Sequence, residues 1–412
     1  MSVFDELVGQ RAVREQLQRA AHAARLLAAR FDEESAEGAE EGSRGAPADA
    51  PISGSDAALS QAWLFTGPPG SGRSIAARAL AAALECTGEE PGCGQCHACQ
   101  TVLAGTHPDV TLLTTEGVTI TADQTRAIVA ESYTAPGSGR WRIIIIEDAD
   151  RMLERTTNVL LKAIEEPPER TFWMLCTPSP DDVLPTIRSR CRRVNLVVPA
   201  AEDVAELLVR RDGIEPQRAL QAARAAQSHI GRARGLATDV QVRQQREETL
   251  LGALGIRGTG DAVIVAQRVF DHAKKQADAQ AERDNERERQ ELLATLGVRE
   301  GARVPPAVRA QVRELEEKQK RRATRTQRDV LDRDMVDLLS LYRDILTVQL
   351  GAQVPLINAD LTKQIEQAAA AASSEQSVRR MDAIATARQR LAGNVAPQLA
   401  IEAMMVALRP QG

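Results

Sequence analysis

Two groups of residues in the first hundred positions have the types and spacing of working chemistry. Gly67, Pro68, Pro69, Gly70, Ser71, Gly72, Arg73 and Ser74 follow a short apolar run and open a helical one. In a loop of this G-x-x-x-x-G form, glycines let successive backbone N–H groups turn inward around phosphate oxygens, and the helix N-terminus adds its dipole. Ser74 stands where a hydroxyl would coordinate Mg2+ beside bound ATP. One position departs from the pattern, because Arg73 stands where lysine would offer a compact charge to the β- and γ-phosphates. A longer, planar, forked guanidinium is a poor substitute in a close-packed phosphate site. Weakened ATP/Mg2+ binding, or none, is expected, and efficient hydrolysis is not.

The other half of such a site is an apolar strand ending in acid. Ile143 to Ile146 is a four-isoleucine run, as a strand buried on both faces requires, and Glu147-Asp148-Ala149-Asp150 follows it. Two registers are open. With Asp148 as the magnesium-side acid, the water-activating position is Ala149, which accepts no proton; with Glu147 and Asp148 as the pair, both acids are present.

The second group is Cys86, Cys93, Cys96 and Cys99, spaced C-x6-C-x2-C-x2-C. Four thiolates at this spacing close a tetrahedron around Zn2+, with Gly88, Gly92 and Gly94 for the tight turns. Four sulfur ligands leave no open coordination position, so the zinc is structural. His97 is read as a bystander, and Cys176 and Cys191 as buried unpaired thiols. A third feature is basic: Arg188, Arg190, Arg192 and Arg193 crowd around Ser189 and Cys191. This is a solvated basic turn or a small anion-binding patch, or else an arginine finger, Arg190, serving nucleotide on an adjacent subunit. Arg234, in Gly231-Arg232-Ala233-Arg234, could reach toward nucleotide held by the chain's own loop.

The elements that must position these residues follow from pattern. From Trp63 to Val198, strand-like runs (63–65, 110–113, 143–146, 172–176, 194–198) alternate with helical ones (75–84, 122–132, 156–165). That alternation predicts an α/β domain, a parallel sheet with helices on both faces. Residues 10–30 read as a helix, and 31–60, rich in Asp, Glu, Gly, Ser, Ala and Pro, as a disordered acidic insertion. After Pro199 only helical patterns remain. The predicted domains are 1–198, with the zinc module at 86–99, a small helical domain at 199–240, and an all-α domain at 241–412. Within the last, about 272–328 is highly charged with alternating signs and reads as solvated helices or a helical hairpin. The net charge of -5 argues against gripping nucleic acid over the whole surface. Phe4-Asp5-Glu6-Leu7 does not resemble a leader peptide, so a cytoplasmic location is expected.

Taken in order, these segments resemble the delta-prime family of bacterial DNA polymerase III clamp-loader subunits. The opening Val3 to Gln10, Thr106-His107-Pro108-Asp109, Glu147 to Met152, Leu160 to Pro168 and Ser189-Arg190-Cys191 carry the likeness, together with the loop and the cysteines. It implies an AAA+ ATPase module, a helical lid and a collar joining a five-membered ring. Implied partners are gamma/tau and delta subunits, the beta sliding clamp and primed DNA, within a nucleoid-associated replisome. By the same resemblance Val8 lies on the adenine side, Thr177 at the sensor 1 position and Arg234 at sensor 2. Arg190 becomes the finger offered to a motor subunit. Aligning Met152-Leu153 with the motor subunits' Met-Leu sets their Asp at Asp148 and their Glu at Ala149, which implies loss of hydrolysis. The other reading is an active gamma/tau-like motor.

Overall fold

The computed structural model describes residues 2–40, 60–115, 119–296, 305, 308–393 and 395–410. The chain divides into two compact units, residues 1–216 with 228–231, and 217–227 with 232–412. The cut falls inside the segment expected as a separate lid.

The first unit opens with a 3-10 turn, Val3–Glu6, capped by the Ser2 side chain, and then α1 (Arg11–Glu40). It continues with β1 (Ala62–Thr66), α2 (Arg73–Glu85), α3 (His97–Ala104), β2 (Val110–Leu113), α4 (Ala122–Ser132) and β3 (Arg142–Ile146). Next come α5 (Glu154–Glu165), β4 (Thr171–Thr177), α6 (Pro185–Arg188), β5 (Arg192–Asn195) and α7 (Ala201–Asp212). All strand pairs are parallel, in the order β2-β3-β4-β1-β5. Every residue of β1, β3 and β4 is buried. Side chains alternate between faces. Trp63, Phe65, Ile143, Ile145, Phe172 and Met174 pack with α1 and the alanine-rich α2 on one side. Leu64, Ile144, Ile146, Trp173 and Leu175 pack with α4 and α5 on the other. The α/β expectation, with helices on both faces of a parallel sheet, holds.

Two boundaries are corrected. The helix expected over 10–30 continues to Glu40, ten residues into the segment read as disordered. Phe31, the first residue of that segment, packs edge-on against Trp141 at 6.3 Å, with the Arg170 guanidinium 5.2 Å over its ring. Residues 41–59 of that segment lie outside the described residues. The last strand is Arg192–Asn195 rather than 194–198. It pairs only with β1, which ends at Thr66, and Leu196 N–H donates the last ladder bond to the Thr66 carbonyl at 2.7 Å. Beyond it the Gln10 side chain takes over both backbone groups of Val197, at 3.2 and 2.5 Å.

The second unit is helical: α8 (Pro216–Ala225), α9 (Ile230–Thr238), α10 (Val240–Leu254), α11 (Thr259–Thr295), α12 (Arg309–Gln349), α13 (Thr362–Ala371), α14 (Ser374–Ala392) and α15 (Pro397–Leu408). Its apolar core gathers Leu250, Val269, Leu338, Leu341, Ile345, Ile384 and Met405. The charged stretch forms the outer halves of α11 and α12, which pair through Arg322 and both carboxylate oxygens of Glu288 at 2.6 and 2.7 Å. A buried polar chain ties this unit together. Asp337 on α12 accepts from Arg246 on α10 at 2.9 Å and from Arg232 on α9. Arg246 also donates to Asn358, whose N–H and amide donate to Asp344 at 2.7 and 2.8 Å.

Candidate nucleotide and zinc sites

The glycine-rich loop leaves the carboxyl end of β1, which lies between β4 and β5; parallel sheets present ligands at the carboxyl ends of their strands. Backbone geometry demands its glycines. Gly70 has φ 86, and a Cβ there would lie 2.9 Å from His229 backbone; at Gly67 a Cβ would meet the Leu196 carbonyl at 2.5 Å. α2 begins at Arg73, so Arg73 and Ser74 open the helix as expected. Arg73 does not extend outward: its guanidinium folds back and donates to the Gly67 carbonyl of its own loop. Ser71 N–H likewise donates to the Pro68 carbonyl at 3.1 Å. A loop closed on its own carbonyls holds its shape with internal partners.

Asp148 follows β3 in a left-handed conformation, φ 55 and ψ 47, and precedes the 3-10 turn Ala149–Arg151 with no capping bond from its side chain. For a non-glycine residue that backbone costs on the order of 1 kcal/mol, and Asp tolerates it better than most. Ala149 is buried and carries no carboxylate. Glu147, the acid of the alternative register, pairs with Arg78 of α2 at 3.2 Å. Thr177 ends β4 in register with Thr66, between the loop strand and the acid strand. Its buried hydroxyl donates to the Ser179 carbonyl at 3.0 Å. Val8 is buried near the end of the opening segment. The loop, Asp148 and Thr177 thus stand at the carboxyl ends of the neighbouring strands β1, β3 and β4. Arg234 lies on α9 in the second unit, exposed.

The four cysteine sulfurs all lie within 4.8 Å of one another. A tetrahedral zinc with bonds of ~2.3 Å needs sulfurs ~3.8 Å apart, so this donor set fits the ion. The Cys86 and Cys96 sulfurs stand at 3.9 Å. Backbone N–H groups of Gly88 and Cys93 point at the Cys86 sulfur, at 3.4 and 3.5 Å. Burial raises the Cys96 thiol, but N–H groups of Cys99 and Thr87 outweigh it and bring it to about 5, favouring the thiolate a metal needs. Gly92 accepts from Val3 N–H at 2.9 Å, so the module is fastened to the N-terminal turn. Arg25 and Arg140 both donate to the Cys86 carbonyl at 2.9 Å.

Arg190 lies on the surface just after α6. It is held by Glu165 at the end of α5, Nη2 to Oε1 2.7 Å, and by the Thr186 carbonyl at 2.8 Å. Its neighbour Arg188 pairs with Asp181 at 2.5 Å. The basic turn is therefore laced with acids, and Arg190 is aimed by one of them.

Comparison with known proteins completes the picture. Residues 53–199 match the family model described as DNA polymerase III, delta subunit, and residues 326–409 match DNA polymerase III, delta subunit, C terminal. A DNA polymerase III subunit delta' from Bacillus subtilis is 26% identical over 354 residues, 85% of this chain and 91% of its own length. The chain belongs to the delta-prime family of DNA polymerase III. Another delta-prime protein, from Pseudomonas aeruginosa, is 36% identical over 174 residues, 41% of this chain; the match spans only about half (52%) of that relative. A DNA polymerase III subunit gamma/tau of Mycobacterium tuberculosis is 33% identical over 135 residues, 32% of this chain and 23% of that protein. Against the delta-prime family, the sequence reading found the loop, the strand end and the cysteines. It missed the side chains that hold them. Glu165 stood in a quoted motif with no role attached, and Gln10 in the opening segment likewise. Neither role leaves a local sequence signal, because the partners are 25 and 187 residues away.

Proposed function

We propose that this chain is the delta-prime-type subunit of a DNA polymerase III clamp loader, a stationary member that does not turn over ATP. In this reading it joins gamma/tau and delta subunits in a ring that opens the beta clamp and loads it on primed DNA. Residues 199–240 act as its lid and the helices after 241 as its collar.

The observation that carries this reading is the end of β3: Asp148 is followed by buried Ala149, so no carboxylate stands at the base position. The inward-folded Arg73 adds to it, since the charge that should meet the γ-phosphate is spent on the Gly67 carbonyl. The catalytic contribution is Arg190, presented to the nucleotide of an adjacent motor subunit. Glu165 keeps that guanidinium oriented until a phosphate takes its place, a pairing of the kind Arg exchanges readily because its fork suits both groups. When bound, ATP and Mg2+ would lie against Val8, the 67–74 loop, Asp148 and Thr177 of the first unit, and would serve structure rather than hydrolysis. Zn2+ on Cys86, Cys93, Cys96 and Cys99 would hold the module onto the N-terminal turn. The test is ATP turnover by the purified chain with and without added gamma/tau. Background turnover is expected of the chain alone, and turnover above that of gamma/tau alone when the two are combined; turnover by the isolated chain comparable with a motor subunit would overturn the reading.

A further inference from the structure

One small cavity of the second unit is lined by positive charge. It is a half-open pocket of about 140 Å3 between Gln376, Arg379 and Arg380 of α14 and Ala407 and Arg409 at the end of α15. That exceeds the ~10–15 Å3 a single water needs. No acidic side chain lines it.

Two of the three guanidiniums are positioned by neutral partners. Arg380 lies 5.7 Å over the ring of buried Tyr342, and Arg409 Nη1 donates to Thr259 Oγ1 at 2.7 Å. Neither forms an ion pair among the described residues. Arg379 faces Glu375 at 3.6 Å, but both side chains are more than half exposed, and a solvated pair of that kind neutralises little. Three like charges converging on one cavity repel one another unless an anion joins them. A planar guanidinium fork can donate two N–H groups to a tetrahedral oxyanion, the recognition in which arginine outperforms lysine.

We propose that this cavity is a phosphate-binding site, taking a phosphate group free in solution or borne on a nucleic-acid strand. The site is independent of the glycine-rich loop, which lies in the other unit, and of the clamp-loader reading.

The experiment is isothermal titration of the full chain with inorganic phosphate and, separately, with a short oligothymidylate. Wild type is compared with Arg380→Gln/Arg409→Gln; any phosphate taken by the glycine-rich loop is common to both, so only the difference counts. The double variant is expected to bind phosphate about tenfold more weakly. Because Arg380 stacks on Tyr342, circular dichroism melts accompany the titrations. The solvated Arg379→Gln variant, expected about threefold weaker, carries the test should the double variant misfold. Oligothymidylate that competes with phosphate and is weakened by the same variants identifies a nucleic-acid backbone as the source; binding of inorganic phosphate alone identifies a free anion. Equal phosphate binding by wild type and folded variants overturns the site.

Discussion

At the scale of the residue, the proposed reading has Arg73 and Ala149 disable the same site in different ways. Arg73 has its charge folded onto Gly67, and Ala149 removes a carboxylate. Restoring one does not restore the other. Arg73→Lys is expected to leave ATP turnover at background in a phosphate-release assay, although nucleotide binding should tighten. A large gain in turnover would instead assign the acid chemistry to Glu147 and Asp148. Asp109 gives a test of stability. Its buried carboxylate is raised by burial, but N–H groups of Gly137, Ser138 and Gly139 outweigh this and hold it down at about 2. A folded-state value below the unfolded one means stability that is present above pH ~4 and is lost as the pH falls toward 2. Asp109→Asn is therefore expected to cost about 2 kcal/mol at neutral pH. The gap from wild type should narrow in denaturant titrations repeated at pH 5, 4 and 3. Thr106-His107-Pro108-Asp109 was legible as a family motif, but this clasp was not, since its donors are backbone groups nearly thirty residues on.

At the scale of the element, legibility followed burial. β1, β3 and β4 are buried on both faces, so apolar runs of β-branched and aromatic residues marked them to within a residue or two. The last strand was misplaced because its end is decided by where its partner β1 stops, not by its own valines. α1 was cut short because an acidic, Ala- and Ser-containing stretch reads as disordered by composition, while Phe31 carries the helix onward by packing on Trp141. The cluster of four cysteines was legible from spacing alone. Its attachment through Gly92, Arg25 and Arg140 was not. Chelation, or Cys93→Ser, is expected to remove one zinc per chain by elemental analysis and to lower the melting temperature of the first unit, because metal binding there is folding free energy. In the helical unit, Asp337→Ala leaves Arg246 buried without its partner. A loss of about 3–5 kcal/mol is expected in the urea transition of that unit.

At the scale of the whole molecule, the two units suit a subunit whose chemistry is completed elsewhere. The first carries the parallel sheet, the glycine-rich loop and the acidic end of β3, and in the proposed reading its exposed Arg190, paired with Glu165, is the group offered outward. No helix among the described residues is long and apolar enough to cross a membrane. The central claim is that this chain supplies a group to another subunit's ATP. It is tested most directly by reconstituting the loader with Arg190→Ala in this chain, and measuring ATP turnover in the presence of clamp and primed DNA. With the complex assembled at wild-type stoichiometry, turnover at the completed site is expected to fall on the order of 10³-fold. Unchanged stimulated turnover in that complex would contradict the account.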